Sequence, residues 1–514
     1  MINNFARTAK DIKCLFTRYP SPDKAIRQSK FRGFMALLGL LIAAIQLGLL
    51  LTFSIKLHIL ELLPAKHMAI LMTVLILILT YCTLSQFGST RTLGKIISIL
   101  TCAVLTLGIT VFSRLDSTLD NITQVHTQTN TVNVLVPVQS TVSSVSELSK
   151  EYVGINTITD YSVIDTAVRK LNSEYDGEIK THAYNTWELL LTALYENTDI
   201  KGAVMTNAIY EALCEQHPEL KKNTKIIHTV SIETAITIER NSDTSTDSIT
   251  DKPFIAYLSG NDTTGSITDT GRSDVNILAV VNPKTKHILL VSTPRDYFIT
   301  IYNQDGKSGT DKLTHAGNYG TGASIQALEN LYKTEIDYYC KVNFTGCIDI
   351  IDALGGITIN SEVDFTTSGE NVANKHHFIK GKNYCDGAKA LAFVRERNAF
   401  ADGDFQRGRN QQAAISAIID KATSAAILAN YASVLNAVSK MVATNMPTSA
   451  MSDLIRAQIA NPTPWTIDTY GVTALDMDVK KDCTLSGLKN VNVVIPDYNS
   501  VNEAIKLINS TLNE

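Results

Sequence analysis

Four arginines fall within fifteen residues where Val394-Arg395-Glu396-Arg397 is followed, after a spacer containing Asp404, by Arg407-Gly408-Arg409-Asn410-Gln411-Gln412. Two upstream segments, Gly271-Arg272-Ser273-Asp274 and Ser292-Thr293-Pro294-Arg295-Asp296, repeat the combination of arginine with acid. A guanidinium is a planar fork of donors that matches phosphate oxygens two at a time. The chemistry expected of this set is capture of a phosphate-bearing anion. A lipid anion is favoured, because the cluster lies outside apolar segments long enough to cross a membrane.

Local geometry narrows the set. If Arg395 and Arg397 lie on extended backbone, their side chains share one side. Arg407 and Gln411, four apart, share a helix face, whereas Arg409 points elsewhere and reads as a surface or structural arginine. The competing account makes these ordinary surface residues neutralised by Glu396, Asp402 and Asp404. Convergence separates the two, since guanidiniums ~6 Å apart repel by roughly 3 kcal/mol at an effective dielectric near 20. A bound diphosphate would offset that repulsion.

Asp262 and Asp274 are the second element. Carboxylates beside a diphosphate suit Mg²⁺, which takes one or two acidic ligands plus phosphate oxygens and water; the alternative for either residue is an Asx-turn or loop cap. Asp296 could hold the adjacent Arg295 in place or simply end a strand. His315, His376 and His377 read as solvated loop residues. No GxSxG is present, so direct attack by an acceptor is preferred to a covalent intermediate.

These residues need a scaffold, and the hydrophobic pattern outlines one. Apolar segments at 33–55, 67–90 and 96–113 reach or approach the ~18–20 residues that span a bilayer. The first 32 residues carry Arg7, Lys10, Lys13, Arg18, Lys24, Arg27, Lys30 and Arg32 against Asp11 and Asp23. That excess predicts a cytoplasmic tail and, after three crossings, an external remainder. The formal net charge of −4 conceals this split. No zinc-finger spacing or external basic stripe is present, so nucleic acid is not an expected partner. Five of the eight cysteines are external, at irregular spacing, which predicts no disulfide framework. Cys340 and Cys347 read as small buried hydrophobes.

A polar linker is expected at 114–133, then an accessory α/β domain at 134–240 with helices near 162–171, 184–196 and 207–216. A polar boundary loop follows. The second domain, expected over 253–430, opens with a strand at 254–258 and a hairpin of 275–282 and 287–292. Helices are predicted over 324–332, 344–354, 387–394 and 404–423, the last with Asp404 as its N-cap. Residues 431–514 are left as a C-terminal part of the external region. The expected fold class is therefore α/β: three membrane helices, a small accessory domain, and a mixed sheet flanked by helices.

Seven blocks taken in order make the chain resemble the LytR–CpsA–Psr family of Gram-positive cell-envelope proteins. They are Gly260-Asn261-Asp262, Gly271-Arg272-Ser273-Asp274, Pro294-Arg295-Asp296, Asp352-Ala353-Leu354-Gly355-Gly356, Gly381 with Asp386-Gly387-Ala388-Lys389-Ala390-Leu391, Arg395-Glu396-Arg397 and Arg407-Gly408-Arg409-Asn410-Gln411. Three spans followed by an extra domain resemble the capsule-attachment subset. The resemblance implies a phosphotransferase that moves a glycopolymer from a polyprenyl diphosphate carrier to peptidoglycan. Arg272, Arg295, Arg395, Arg397, Arg407 and Gln411 would hold the diphosphate, and Asp262 and Asp274 would place Mg²⁺. It also implies an apolar tunnel for the lipid, with Phe344, Ile348 and Ile351 as candidate wall residues. One departure is Thr264, where many members carry arginine. The alternative is a sensor or attenuator that binds the carrier-linked precursor without turnover.

Overall fold

The computed structural model describes residues 2–20, 22–59, 63–123, 127–175, 177–196, 199–236, 248–261, 266–368, 375–424, 434 and 441–514. They form two compact units: 1–120 with 448–462, and 121–447 with 463–514.

In the first unit, Lys24–Ile59, Ala65–Ser85 and Arg91–Ser113 are helices long and apolar enough to cross a membrane, with mean hydropathy of 2.5, 2.3 and 2.3. The second ends at Ser85 rather than at 90, because the 86–90 segment forms the turn into the next helix. The basic tail contains a helix, Ile2–Phe16. It packs back on the spans, with Asp11 accepting from Ser29 Oγ (2.6 Å) and Arg32 Nε (3.1 Å), and Phe5 stacking on Phe87.

Two larger sheets, with four two-stranded ones beside them, make up the second unit among the described residues. The accessory sheet runs Lys180–Tyr184, Tyr152–Asn156, Gly202–Thr206, Thr127–Pro137, Thr224–Ala235. The first three strands are parallel and the last two antiparallel. Val132, Val134, Val153 and Leu171 pack on one face; Leu135, Trp187, Leu190 and Met205 pack on the other. The linker expected at 114–133 is corrected: the third span's helix continues to Thr123, and a strand starts at Thr127. Its Gln128 and Asn130 are buried, satisfied by Tyr319 O and Thr234 Oγ1. Polar composition suggested solvation, but hydrogen bonding permits burial.

The main sheet has six strands, ordered Val442–Thr444, Tyr338–Asn343, Phe254–Asn261, Ser273–Asn282, His287–Ser292, Thr466–Gly471. The expected hairpin is present, with Asn282 opposite His287. Both edge strands come from beyond 430, so the stretch set apart as a C-terminal part completes this sheet instead. Helix Tyr498–Asn513 also joins its core, Val501, Ala504 and Ile508 packing with Leu278, Val280 and Leu289. A three-residue strand and a half-polar edge carry too little periodicity to be read in advance.

A second cluster, with Ile351, Leu354, Phe378, Phe393, Ala414 and Ala417, ties together helices Phe344–Ala353, Gly387–Arg395 and Asp404–Ala422. Of the expected wall residues, Ile351 is buried and Phe344 and Ile348 are half-buried. The first helix stops at Gly355 and Gly356, whose φ of 72° and 81° suit glycine. All eight cysteines are free.

Candidate functional site

Three pieces of backbone meet at one end of the main sheet. Strand Ser273–Asn282 carries Asp274 near its start. The neighbouring strand ends at Ser292, and Pro294 turns the chain so that Arg295 points back at Asp274, Nη1 to Oδ1 at 2.8 Å. Thr314 adds a hydroxyl to the same oxygen at 3.3 Å and a backbone bond to Arg295 O at 2.8 Å. Helix Asp404–Ala422 lies across this corner, bringing in Arg407 and Gln411, each 8% exposed. Gly408 permits the approach, since a Cβ there would stand 3.0 Å from Ser292 Oγ.

Between these pieces is a cleft of about 120 Å³, lined by Asp274, Arg295, Asp404, Arg407 and Gln411, with Val472 and Thr473 opposite. Its volume matches about four waters. Arg407 Nη2 meets Asp404 Oδ1 at 2.6 Å. Asp404 is thus the first helical residue, not the N-cap expected; Gly403, at φ 47°, holds the cap position and frees the carboxylate for arginine. Lys312 Nζ, which sequence reasoning missed, sits 2.9 Å from Asp296 Oδ1. No spacing signal marked Lys312; only the fold of hairpin Phe298–Tyr302 and Ser308–Lys312 brings it here.

Electrostatics favour an added anion. Burial lowers the pKa of Arg407, with Arg295 adding to the effect and Asp404 opposing it. Burial also works against the Arg295 charge, but Asp274, Asp296 and Asp404 outweigh it and raise its pKa. Asp296 stays ionised: burial pushes its carboxyl up, and Lys312 and Arg295 bring it below the ordinary range. Arg295 Nε is buried without a hydrogen-bond partner, its carboxylate neighbour Asp296 Oδ2 standing 3.8 Å away. A buried guanidinium donor without a partner, on a residue that lines the cleft, is suited to an oxyanion.

Of the remaining expected residues, Arg272, Arg395 and Arg397 do not line the cleft. Arg272 Nη1 bonds Glu215 Oε1 of the accessory domain at 2.5 Å. Arg395 is the last residue of helix Gly387–Arg395, not extended backbone, and its guanidinium covers the Phe344 ring at 4.1 Å. The chain becomes extended only at Glu396, whose buried carboxylate takes Ser368 N at 2.6 Å and Ala399 N at 3.0 Å. Arg397 is exposed, and the extended backbone that would put the two arginines on one side is not present at Arg395. Arg409, at the rim of the cleft, is neutralised by Glu362 (2.9 Å) and Asp402. Asp262 and Thr264 lie outside the described residues.

His315 is not solvated as expected; it is buried, with Nδ1 2.6 Å from Asp311 Oδ1, because the short helix Leu313–Tyr319 packs inside. Asp311, His315 and Cys483 form a metal-type donor group among the described residues. There the Asp311 carboxylate already accepts from His315 and from Ser486 N at 3.1 Å. In the cleft itself, Asp274 offers oxygen chemistry that fits a hard cation such as Mg²⁺.

The LytR_cpsA_psr family model matches residues 203–489. The chain belongs to the LytR_cpsA_psr family. The matched stretch contains every cleft residue described above. Among curated relatives, the polyisoprenyl-teichoic acid–peptidoglycan teichoic acid transferase TagU of Bacillus mycoides is 38% identical over 204 residues, 40% of this chain and 64% of that one. The Enterococcus faecalis protein of the same name is 34% identical over 214 residues, 41% and 67% of the two chains. The chain therefore spans just under two thirds of the Bacillus relative. Among solved structures, that of Bacillus subtilis TagV is 28% identical, covers 51% of this chain and 98% of its own, and has a TM-score of 0.43.

Proposed function

We propose that this family member is a membrane-anchored phosphotransferase that moves a glycopolymer, capsular polysaccharide or teichoic-acid-like, from a polyprenyl diphosphate carrier to peptidoglycan outside the membrane. The observation that carries the reading is that buried Arg407 and half-buried Arg295, distant in sequence, meet Gln411 around one cleft. The names of the Bacillus and Enterococcus relatives support the substrate class. The basic N-terminal tail, followed by three helices able to span a membrane, supports an external site.

In this reading Arg295, Arg407 and Gln411 grip the diphosphate, while Asp274 and Lys312-held Asp296 keep Arg295 aimed at it. Arg272, Arg395 and Arg397 are reserved for flanking parts of the anion. An acceptor sugar hydroxyl attacks phosphorus, the bond to the bridging oxygen breaks, and polyprenyl phosphate leaves. The polymer is left on peptidoglycan through a phosphodiester. Asp274, with Asp262, would hold Mg²⁺, which supplies charge neutralisation when bound. Positioning and charge neutralisation are the usual means of phosphoryl transfer.

The test is to incubate the full chain in detergent with polyprenyl-diphosphate oligosaccharide, Mg²⁺ and peptidoglycan, and to measure released polyprenyl phosphate. Arg295→Ala and Arg407→Ala should each lower release about 10–100-fold, the equivalent of losing a charged hydrogen bond of ~1.5–3 kcal/mol. Carrier binding with no release from the wild type would favour the sensor instead.

A further inference from the structure

Helix Ile2–Phe16, ahead of the spans, has three distinct sides. Thr8, Asp11 and Leu15 share one side at helical spacing; Thr8 and Asp11 are buried and Leu15 is half-buried. Phe5, Ala9, Ile12 and Phe16 recur at the spacing of a second, apolar stripe. Phe5 and Phe16 are nevertheless 57% and 78% exposed. Arg7, Lys10 and Lys13 fan across the third side, all exposed. The one acid of the helix, Asp11, accepts from Ser29 and Arg32 on the packed side, so no carboxylate of the helix offsets these three cations.

Contacts fix the level of this helix along the spans. Asp11 meets Ser29 and Arg32, just before the apolar run of helix Lys24–Ile59 begins. At Gly33 the two helices touch so closely that a Cβ would stand 2.3 Å from Asp11 O. Phe5 stacks on Phe87 at 4.5 Å, in the turn after helix Ala65–Ser85. Thr8 Oγ1 accepts from Arg91 Nη2 at 2.7 Å, at the first residue of helix Arg91–Thr123. All three points flank apolar stretches, at the level where hydrocarbon gives way to headgroups. Phe31 and Phe34, beside Gly33 in the first span, are exposed as well, so apolar surface at this level is not confined to the short helix.

We propose that helix Ile2–Phe16 is a binding surface for anionic phospholipid, lying in the headgroup layer of the bilayer that the three helices cross. Phe5, Ala9, Ile12 and Phe16 enter the acyl boundary, while Arg7, Lys10 and Lys13 pair with lipid phosphates. A basic helix with aromatic residues in its apolar stripe binds at such an interface through both terms. Each Lys or Arg near an anionic surface adds to the attraction. Because Thr8 and Asp11 already fix the helix to the spans, docking avoids the entropic cost of ordering a free tail. The inference rests on the three spans and stands independently of the transferase reading.

Trp187 and Trp465 are the only tryptophans of the chain, so Phe16→Trp adds a reporter on the exposed stripe. In full-length protein reconstituted into lipid nanodiscs, its emission, after subtraction of the unsubstituted protein, should be quenched more by lipid brominated near the headgroup end of the acyl chains than by lipid brominated at their tips. Amide exchange over residues 2–16 should be at least ~10-fold slower in discs containing phosphatidylglycerol than in pure phosphatidylcholine, and high salt should remove the difference. Replacing Arg7, Lys10 and Lys13 together by Gln should leave exchange the same in both lipids. Emission insensitive to either brominated lipid would overturn the proposal, since water or a protein partner would then cover the stripe. Equal exchange of the wild type in the two lipids would overturn it too, as would a lipid difference that survives the triple Gln variant.

Discussion

At the scale of single residues, the cleft depends on charges that are individually costly to bury. Arg295 and Arg407 are tolerated because Asp274, Asp296 and Asp404 stand beside them, and Lys312 in turn holds Asp296. Removing Lys312 should therefore damage catalysis without touching the anion: Lys312→Met is expected to lower transfer about 10-fold, with carrier binding less affected, measured as kcat against KM. A second buried cation has a different fate. Lys341, on the inner strand Tyr338–Asn343, donates to Asp269 O at 2.7 Å, and burial brings its pKa down to about 8 despite the Asp269 charge. Above that pH the folded chain has released a proton that the unfolded chain keeps until ~10.4, so stability rises with pH across this window. Below it, the protein carries the cost of a buried ammonium. The difference in unfolding free energy between wild type and Lys341→Met should change by at most roughly 3 kcal/mol between pH 8 and 10. A flat difference curve would show that Lys341 stays protonated.

At the scale of elements, two helix ends position the site. Helix Phe344–Ala353 must stop abruptly so that the chain can enter strand Ile357–Ser361, which pairs with Gly381–Cys385. Gly355 and Gly356 both have positive φ, but only at Gly356 would a Cβ collide with the Tyr384 ring. Gly355→Ala should cost about 1 kcal/mol from backbone strain, and Gly356→Ala clearly more, about 2–3 kcal/mol, in denaturant unfolding. Equal effects would rule out the Tyr384 contact as the cause. The other end is Gly403, where positive φ lets Asp404 start the helix and reach Arg407 rather than cap the helix itself.

At the scale of the molecule's second unit, accessory and main domains share a core. Cys483 and Leu488 pack with Trp187, Leu190 and Leu213, and Trp187 Nε1 donates to Ser486 O at 2.7 Å. Residues 127–236 expressed alone would expose that face, so the isolated accessory segment should bind a hydrophobic dye and unfold without a sharp transition. In the full chain the two domains should melt together. Separate transitions by calorimetry would argue against the shared core. Truncation before 441 should prevent folding of the main domain, because it removes both edge strands and the helix over Leu278 and Leu289.

Much of the arrangement was legible in the residue order, and the reason is that its causes are short-range. Apolar runs fixed the spans, alternation and the 283–286 turn marked the hairpin, and a 3.6-residue period put Arg407 and Gln411 on one helix face. Motif order likewise pointed to the family. What chain order could not determine was which distant groups become neighbours. Burial of Gln128 and Asn130, completion of the main sheet by 442–444 and 466–471, and delivery of Lys312 to Asp296 all depend on long-range packing. The same holds for Arg395, which ends a helix and covers the Phe344 ring rather than lying on the extended backbone that would place it beside Arg397. Local propensity proposes a backbone, but only the closed core decides which charges are buried together and must be balanced.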